Sequence, residues 1–253
     1  MVESIIFLFG ILMGSFFNVC IYRIPRGESI VFPSSHCPSC KTSLRPKDLI
    51  PILSYLIKKG KCSYCGKRIS LRYPVIEGLT GIVYSILYHF FGFSLSFLFY
   101  SFLMSILIII TGIDYDHQII PDILVLWGLV GGLLYRGIEG MIEKTAIGMV
   151  EGFVGMIIGG GFLLLIGILS KGGMGGGDIK LMGMIGWWLD WKLTIVALFF
   201  SFVLGGLISI FLLLFHIKSR KDPIPFGPFI CLATYLSLLW GYDLLQGYFQ
   251  LFL

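Results

Sequence analysis

The chain has 253 residues, 57% of them hydrophobic and 13% charged, with a mean hydropathy of +0.92. Soluble domains carry about 25% charged residues, so this composition excludes a soluble globular protein and predicts an all-α polytopic membrane protein. The formal net charge of +5 is concentrated: residues 23–74 hold eleven of the nineteen Lys and Arg, with only Glu28 and Asp48 as acids.

An apolar run of about 17 to 25 residues can cross a bilayer as a helix. Eight candidates follow one another, centred near residues 14, 84, 104, 130, 157, 185, 204 and 236. The first is expected to be retained rather than cleaved, because Met1 to Ser4 carries no basic region of the kind that opens a signal peptide. Basic loops stay in the cytoplasm, so the first run is expected to pass from outside to inside. Alternation then places sixteen cations inside, including Lys171, Lys180, Lys218, Arg220 and Lys221, against Arg136, Lys144 and Lys192 outside, with both termini outside. The basic loop is expected to reflect this topology and attraction to anionic lipid rather than nucleic-acid binding. Three parts are expected: a first transmembrane helix (1–22), a cytoplasmic loop domain (23–74) and a membrane domain (75–253).

The loop domain contains Cys37-Pro-Ser-Cys40 and Cys62-Ser-Tyr-Cys65, two CxxC pairs separated by 21 residues. Each CxxC turn can present two thiolates to one ion, and two turns complete a closed tetrahedral site, as in structural zinc ribbons. Disulfides are the alternative, but a cytoplasmic loop is reducing. A Zn²⁺ held by Cys37, Cys40, Cys62 and Cys65 also supplies the folding free energy, on the order of 10 kcal/mol, that so polar an insert lacks. Cys20 and Cys231 lie in apolar runs and read as small buried hydrophobes.

Farther along, the third run ends in Ile113-Asp114-Tyr-Asp116-His117-Gln-Ile-Ile-Pro121-Asp122. The fifth ends in Lys171-Gly-Gly-Met-Gly175-Gly176-Gly177-Asp178-Ile-Lys180, which leads into a short apolar helix, the sixth run. Alternation puts Asp114 and Asp178 at the same membrane boundary. A carboxylate in hydrocarbon costs about 2.5 to 3.5 kcal/mol on insertion scales, so such residues are paired, solvated or functional. Two that meet cannot both ionise; one keeps a proton while the other activates water, the arrangement of aspartic proteases. The glycines are expected to permit positive φ and close approach of an extended substrate. A helix starting at Asp178 would favour its ionised form. Gly152, Gly155 and Gly159 to Gly161 read instead as a helix-packing surface. Asp122 is also a plausible helix N-cap after Pro121. A lone His117 has no partner at ligand spacing and is left out of the site.

Six segments in order resemble the bacterial type IV prepilin peptidases, the leader peptidase and N-methyltransferase family of GxGD-class membrane aspartic proteases. They are GSFFNVCIYRIPR (14–26), the paired CxxC loop with DLIPILSYL (48–56), RYPVIE (72–77), IDYDHQIIPD (113–122), GMGGGDIKL (173–181) and IPFGPF (224–229). The resemblance implies that Asp114 and Asp178 are catalytic; beside them Gly175, Gly177, Lys180 and Asp122 are read as candidates for supporting the substrate or the pair. It implies cleavage of the basic leaders of prepilin and pseudopilin precursors at the cytoplasmic face of the bacterial inner membrane. Transfer of a methyl group from S-adenosylmethionine to the new N-terminus is implied as well, although no strand followed by G-x-G-x-x-G suggests a Rossmann-type site for that donor. Small residues are commoner in the family where Met184 stands, and Trp187 and Trp188 make the short sixth run bulkier, which bears on substrate fit. A proton- or cation-coupled transporter with a regulatory zinc loop is the rival reading; it would be expected to show internal repeats, and residues 179–246 do not repeat the acidic motifs of 75–138.

Overall fold

A computed structural model describes residues 1–219 and 222–252, so Arg220 and Lys221 of the expected inside charge lie outside the described residues. The described residues are helical, joined by turns and two isolated β-bridges. Seven helices are long and apolar enough to cross a membrane. They are α1 (Val2–Arg23), α3 (Arg72–Phe91), α4 (Leu95–His117), α5 (Asp122–Glu143), α6 (Ile147–Leu169), α8 (Trp191–Leu214) and α9 (Gly227–Phe252). The short α2 (Leu53–Ile57) belongs to the insert, and α7 (Gly176–Trp188) is the remaining apolar run.

With 13 residues, α7 is about 20 Å long at 1.5 Å per residue, short of a full hydrocarbon thickness of about 30 Å. It still carries the chain back along α6. A Cβ at Gly159 would come 2.8 Å from the Met182 carbonyl oxygen and one at Gly152 2.7 Å from that of Trp187, while Gly155 meets Gly186. Those pairs make α7 antiparallel to α6, and α8 then returns alongside α6, with Thr194 against Gly155 and Gly159. The glycine face of α6 is therefore a packing surface, as expected from its sequence. Gly161 is the exception, with nothing near its missing Cβ.

The chain forms two compact units, Met1–Ile109 and Ile110–Leu253. In the first, α1 and α3 run antiparallel at backbone contact: a Cβ at Gly10 would lie 2.7 Å from the Gly81 Cα, and one at Gly14 the same distance from the Glu77 Cα. Between these helices the insert folds on local bonds. The Lys41 N–H donates to the Cys37 carbonyl (2.8 Å) and the Cys37 N–H to that of Thr42 (3.0 Å). The second turn repeats the pattern, Gly66 N–H to Cys62 (3.0 Å) and Cys62 N–H to Lys67 (2.9 Å). Asp48 clamps the loop: it accepts from Lys58, from the Tyr64 hydroxyl and from the Arg45 N–H. These contacts, Lys58 foremost, hold the Asp48 carboxyl down at about 2. Glu77 of α3 accepts the Ile52 N–H (2.7 Å).

In the second unit, α5 packs on α7 through glycines that face its bulkiest side chains. Met184 fills the space at Gly128, and Trp187 and Trp188 that at Gly132. The Trp188 indole N–H donates to the Gly128 carbonyl (2.8 Å). The departures noted at those three positions are thus accommodated by the absence of side chains on a neighbouring helix.

Candidate active site

Asp114 sits in the last turn of α4 and is 5% exposed. Its carboxylate accepts the N–H of Gly227, the first residue of α9, at 3.0 Å. A Cβ on Gly227 would stand 2.7 Å from that carboxylate oxygen, so only glycine lets the α9 backbone approach so closely. The Gly227 N–H is one of the four that an α-helix leaves unpaired at its start, which makes α9 a donor of partial positive charge to Asp114.

Asp178 lies in the first turn of α7 and is half-buried. Its carboxylate turns back to the Gly175 N–H, the reach by which a third helical residue satisfies the residue before the helix. The three glycines divide the work unequally. A Cβ at Gly175 would be 2.9 Å from the Asp178 carboxylate, one at Gly177 would be 3.0 Å from the Cβ of Ile120, and one at Gly176 would meet nothing. None of the three has positive φ; Lys171 and Gly172, before them, do. The expectation that they supply unusual backbone conformation is therefore corrected: Gly175 and Gly177 supply clearance, one for the acid and one for the loop that follows Asp114.

Asp114 lies near enough for its charge to act on Asp178, which brings two carboxylates 64 positions apart into the same part of the second unit. Cys231, on α9, is buried beside them: its thiol contacts Thr111 and feels both carboxylates. Lys180 pairs with Asp122 at 2.7 Å on the exposed rim, tying the first turn of α7 to that of α5. The Gln118 amide donates to the Pro223 carbonyl (3.3 Å), joining the loop after Asp114 to the segment before Gly227. Of the expected residues, Asp114, Asp178, Gly175 and Gly177 come together, with Asp122 and Lys180 at the edge. Gly227 was not singled out by its chemistry. Its signal was a glycine framed by Pro and Phe where a helix begins.

In the first unit the sulfurs of Cys37, Cys40, Cys62 and Cys65 all lie within 4.8 Å of one another, with Cys37 and Cys65 4.0 Å apart. A tetrahedral zinc thiolate site with bonds of about 2.3 Å places its sulfurs roughly 3.8 Å apart, so the four fit one ion. The surroundings favour the thiolate at two of the four: hydrogen bonding from the Thr42 side chain draws Cys40 down to about 6, and the N–H groups of Tyr64 and Cys65 lower Cys62, whereas against a lowering bond from Lys67 its own desolvation and the neighbouring cysteines push Cys65 up to about 11.

Comparison with known proteins divides the chain similarly. Residues 8–91 match the Bacterial Peptidase A24 N-terminal domain and residues 101–210 the Type IV leader peptidase family. The chain is 36% identical over 248 residues to the prepilin leader peptidase/N-methyltransferase of Bacillus subtilis, covering 98% of both. Proteins of the same name from Pseudomonas aeruginosa and Legionella pneumophila are 32% and 33% identical, over 96% and 95% of this chain and 92% of each relative. No solved structure matches the chain.

Proposed function

This chain belongs to the type IV leader peptidase family, and we propose that Asp114 and Asp178 are the acids with which it cuts leader peptides. The protein is a multi-pass membrane enzyme, a prepilin leader peptidase and N-methyltransferase acting on prepilin precursors. One observation carries the choice of residues: a buried carboxylate from α4 lies near enough for its charge to act on a half-buried one from α7, and each is fixed by a glycine N–H. Such a pair shares one proton. The ionised member takes a proton from water as the water attacks the scissile carbonyl, and the neutral member donates to the carbonyl oxygen. The glycine N–H groups hold both acids in place, so little reorganisation accompanies the step.

Asp114→Asn and Asp178→Asn should each abolish cleavage of a purified prepilin while leaving the protein folded, because an amide neither accepts the proton nor titrates. Full cleavage by either variant would refute the pair.

The active site and the cysteine insert face the cytoplasm in this reading, and both termini face outward. The one-sided distribution of cations supports it, as does the need of a basic leader to reach the acids. Pseudopilin precursors are substrates on the same grounds, anionic lipid is the partner of the basic loop, and nucleic acid is not a partner. The insert binds one structural Zn²⁺ through its four cysteines; elemental analysis should find about one ion per chain. S-adenosylmethionine supplies the activated methyl group. The transporter reading has no observation in its favour.

A further inference from the structure

The first unit contains a cavity of about 560 Å³ bounded by the second half of α1, the start of α3 and the insert. Cavities of ~300 to 1,000 Å³ are the size that hold cofactors and other small ligands. Asn18 lines it and is 1% exposed. Its amide nitrogen donates to two carbonyls, those of Gly14 and Tyr73, both at 3.2 Å. Two acceptors fix which end of the amide is nitrogen, so the other end is an acceptor, and that oxygen has no protein partner. Buried acceptors without donors are costly and rare. Beside it the cavity presents the carboxylate of Glu77 and the rings of Tyr22 and Tyr73, with exposed Lys67 and Arg68 at its rim.

We propose that this cavity binds the methyl donor, S-adenosylmethionine, so that the two chemistries of the chain reside in different units. The inference rests on the reading that the chain transfers methyl groups. The parts of that ligand match what the wall offers. Its amino and hydroxyl groups are donors for Asn18 and Glu77, its adenine ring stacks on tyrosine, its cationic sulfur is favoured by Glu77 and the aromatic faces, and its carboxylate meets Lys67 or Arg68. Transfer forms a bond from the nitrogen of the new N-terminus to the methyl carbon as the carbon–sulfur bond breaks. The bonding pair stays on sulfur, and the surplus proton on nitrogen leaves to water.

Ultraviolet cross-linking of labelled S-adenosylmethionine to the whole purified protein, in nanodiscs containing phosphatidylglycerol, reads binding without turnover. Label is expected in peptides from residues 14–23 or 72–77 and should be displaced by S-adenosylhomocysteine. Asn18→Ala and Glu77→Gln should each weaken binding at least tenfold with zinc content unchanged; should either variant lose its zinc and fold, the map on the unaltered protein decides. Label confined to residues 110–252, or full binding by both folded variants, would overturn the cavity while leaving methyl transfer intact. So would label displaced by added phosphatidylglycerol alone, which would make this a lipid pocket. A wild-type protein that neither binds the donor nor methylates a cleaved pilin would overturn the methyl-transfer reading and the cavity with it.

Discussion

Four thiols and two carboxylates converge in this chain by different routes. Each pair of thiols is placed by its own turn, closed by bonds between residues four or five apart, and only the joining of the two turns is long-range. Asp114 and Asp178 have no such local scaffold. They are brought near one another by close approaches at glycine, Gly227 of α9 against one acid and Gly177 of α7 against Ile120 in the loop beyond it. A site built on turns should therefore fail when a ligand is removed, whereas one built on packing should fail when a methyl group is added.

The largest expected effect is on the insert. Cys37→Ser removes one of four ligands, and since metal binding there is folding free energy, zinc should fall from about one ion per chain to near none, with amide exchange in residues 30–70 becoming fast. Next comes Gly227→Ala. The new methyl displaces the Asp114 carboxylate from its donor, and misplacing a catalytic group by about 1 Å can cost on the order of 10²-fold in rate; cleavage should drop by that order. Gly206→Ala, with nothing near its Cβ, should cleave as the wild type does.

A sharper contrast lies within three consecutive glycines. Gly177→Ala must push Ile120 aside and should lower cleavage roughly tenfold, a cost of about 1.4 kcal/mol in the transition state. Gly176→Ala should stay within twofold. If all three glycines tolerated alanine equally, the clearance explanation would fail. Acid separates the two regions in another way. Asp48 titrates at about 2 because Lys58 and Tyr64 bind its ionised form, below the usual carboxyl value of about 3.9. Its contribution to stability is thus complete above about pH 4 and lost as pH falls through about 2. Metal thiolates take up protons sooner, so zinc should leave before the Asp48 clamp opens; Asp48→Asn should destabilise the insert at pH 7 and make no difference below pH 2. The smallest effect is at Lys41, which adopts φ of 58° where the second turn has Gly66 at 70°. Lys41→Gly relieves a left-handed conformation that costs about 1 kcal/mol, partly offset by unfolded-chain entropy, and should raise the insert's melting temperature slightly.

Much of this was readable in the sequence because it is periodic or closely spaced. The apolar runs appear as helices, the CxxC spacing appears as two matching turns, and an acid following glycines begins a helix. What could not be read is pairwise and distant. Nothing near Gly128 or Gly132 announces that Met184, Trp187 and Trp188, more than fifty residues later, fill the space above them. Gly227 contacts an acid 113 positions earlier. The positive φ expected of the GxGD glycines is absent for the same reason: conformation is a property of one residue, whereas clearance depends on a neighbour that the local sequence does not contain.

Proximity of the two acids in the folded, membrane-embedded protein is the measurement on which the most depends. Asp114→Cys and Asp178→Cys, introduced together with Cys20 and Cys231 replaced and the four insert cysteines kept, should be joined in membranes by a short bifunctional thiol reagent, and a prepilin peptide should protect them. Failure of that pair to join while each cysteine alone reacts freely would contradict a shared site.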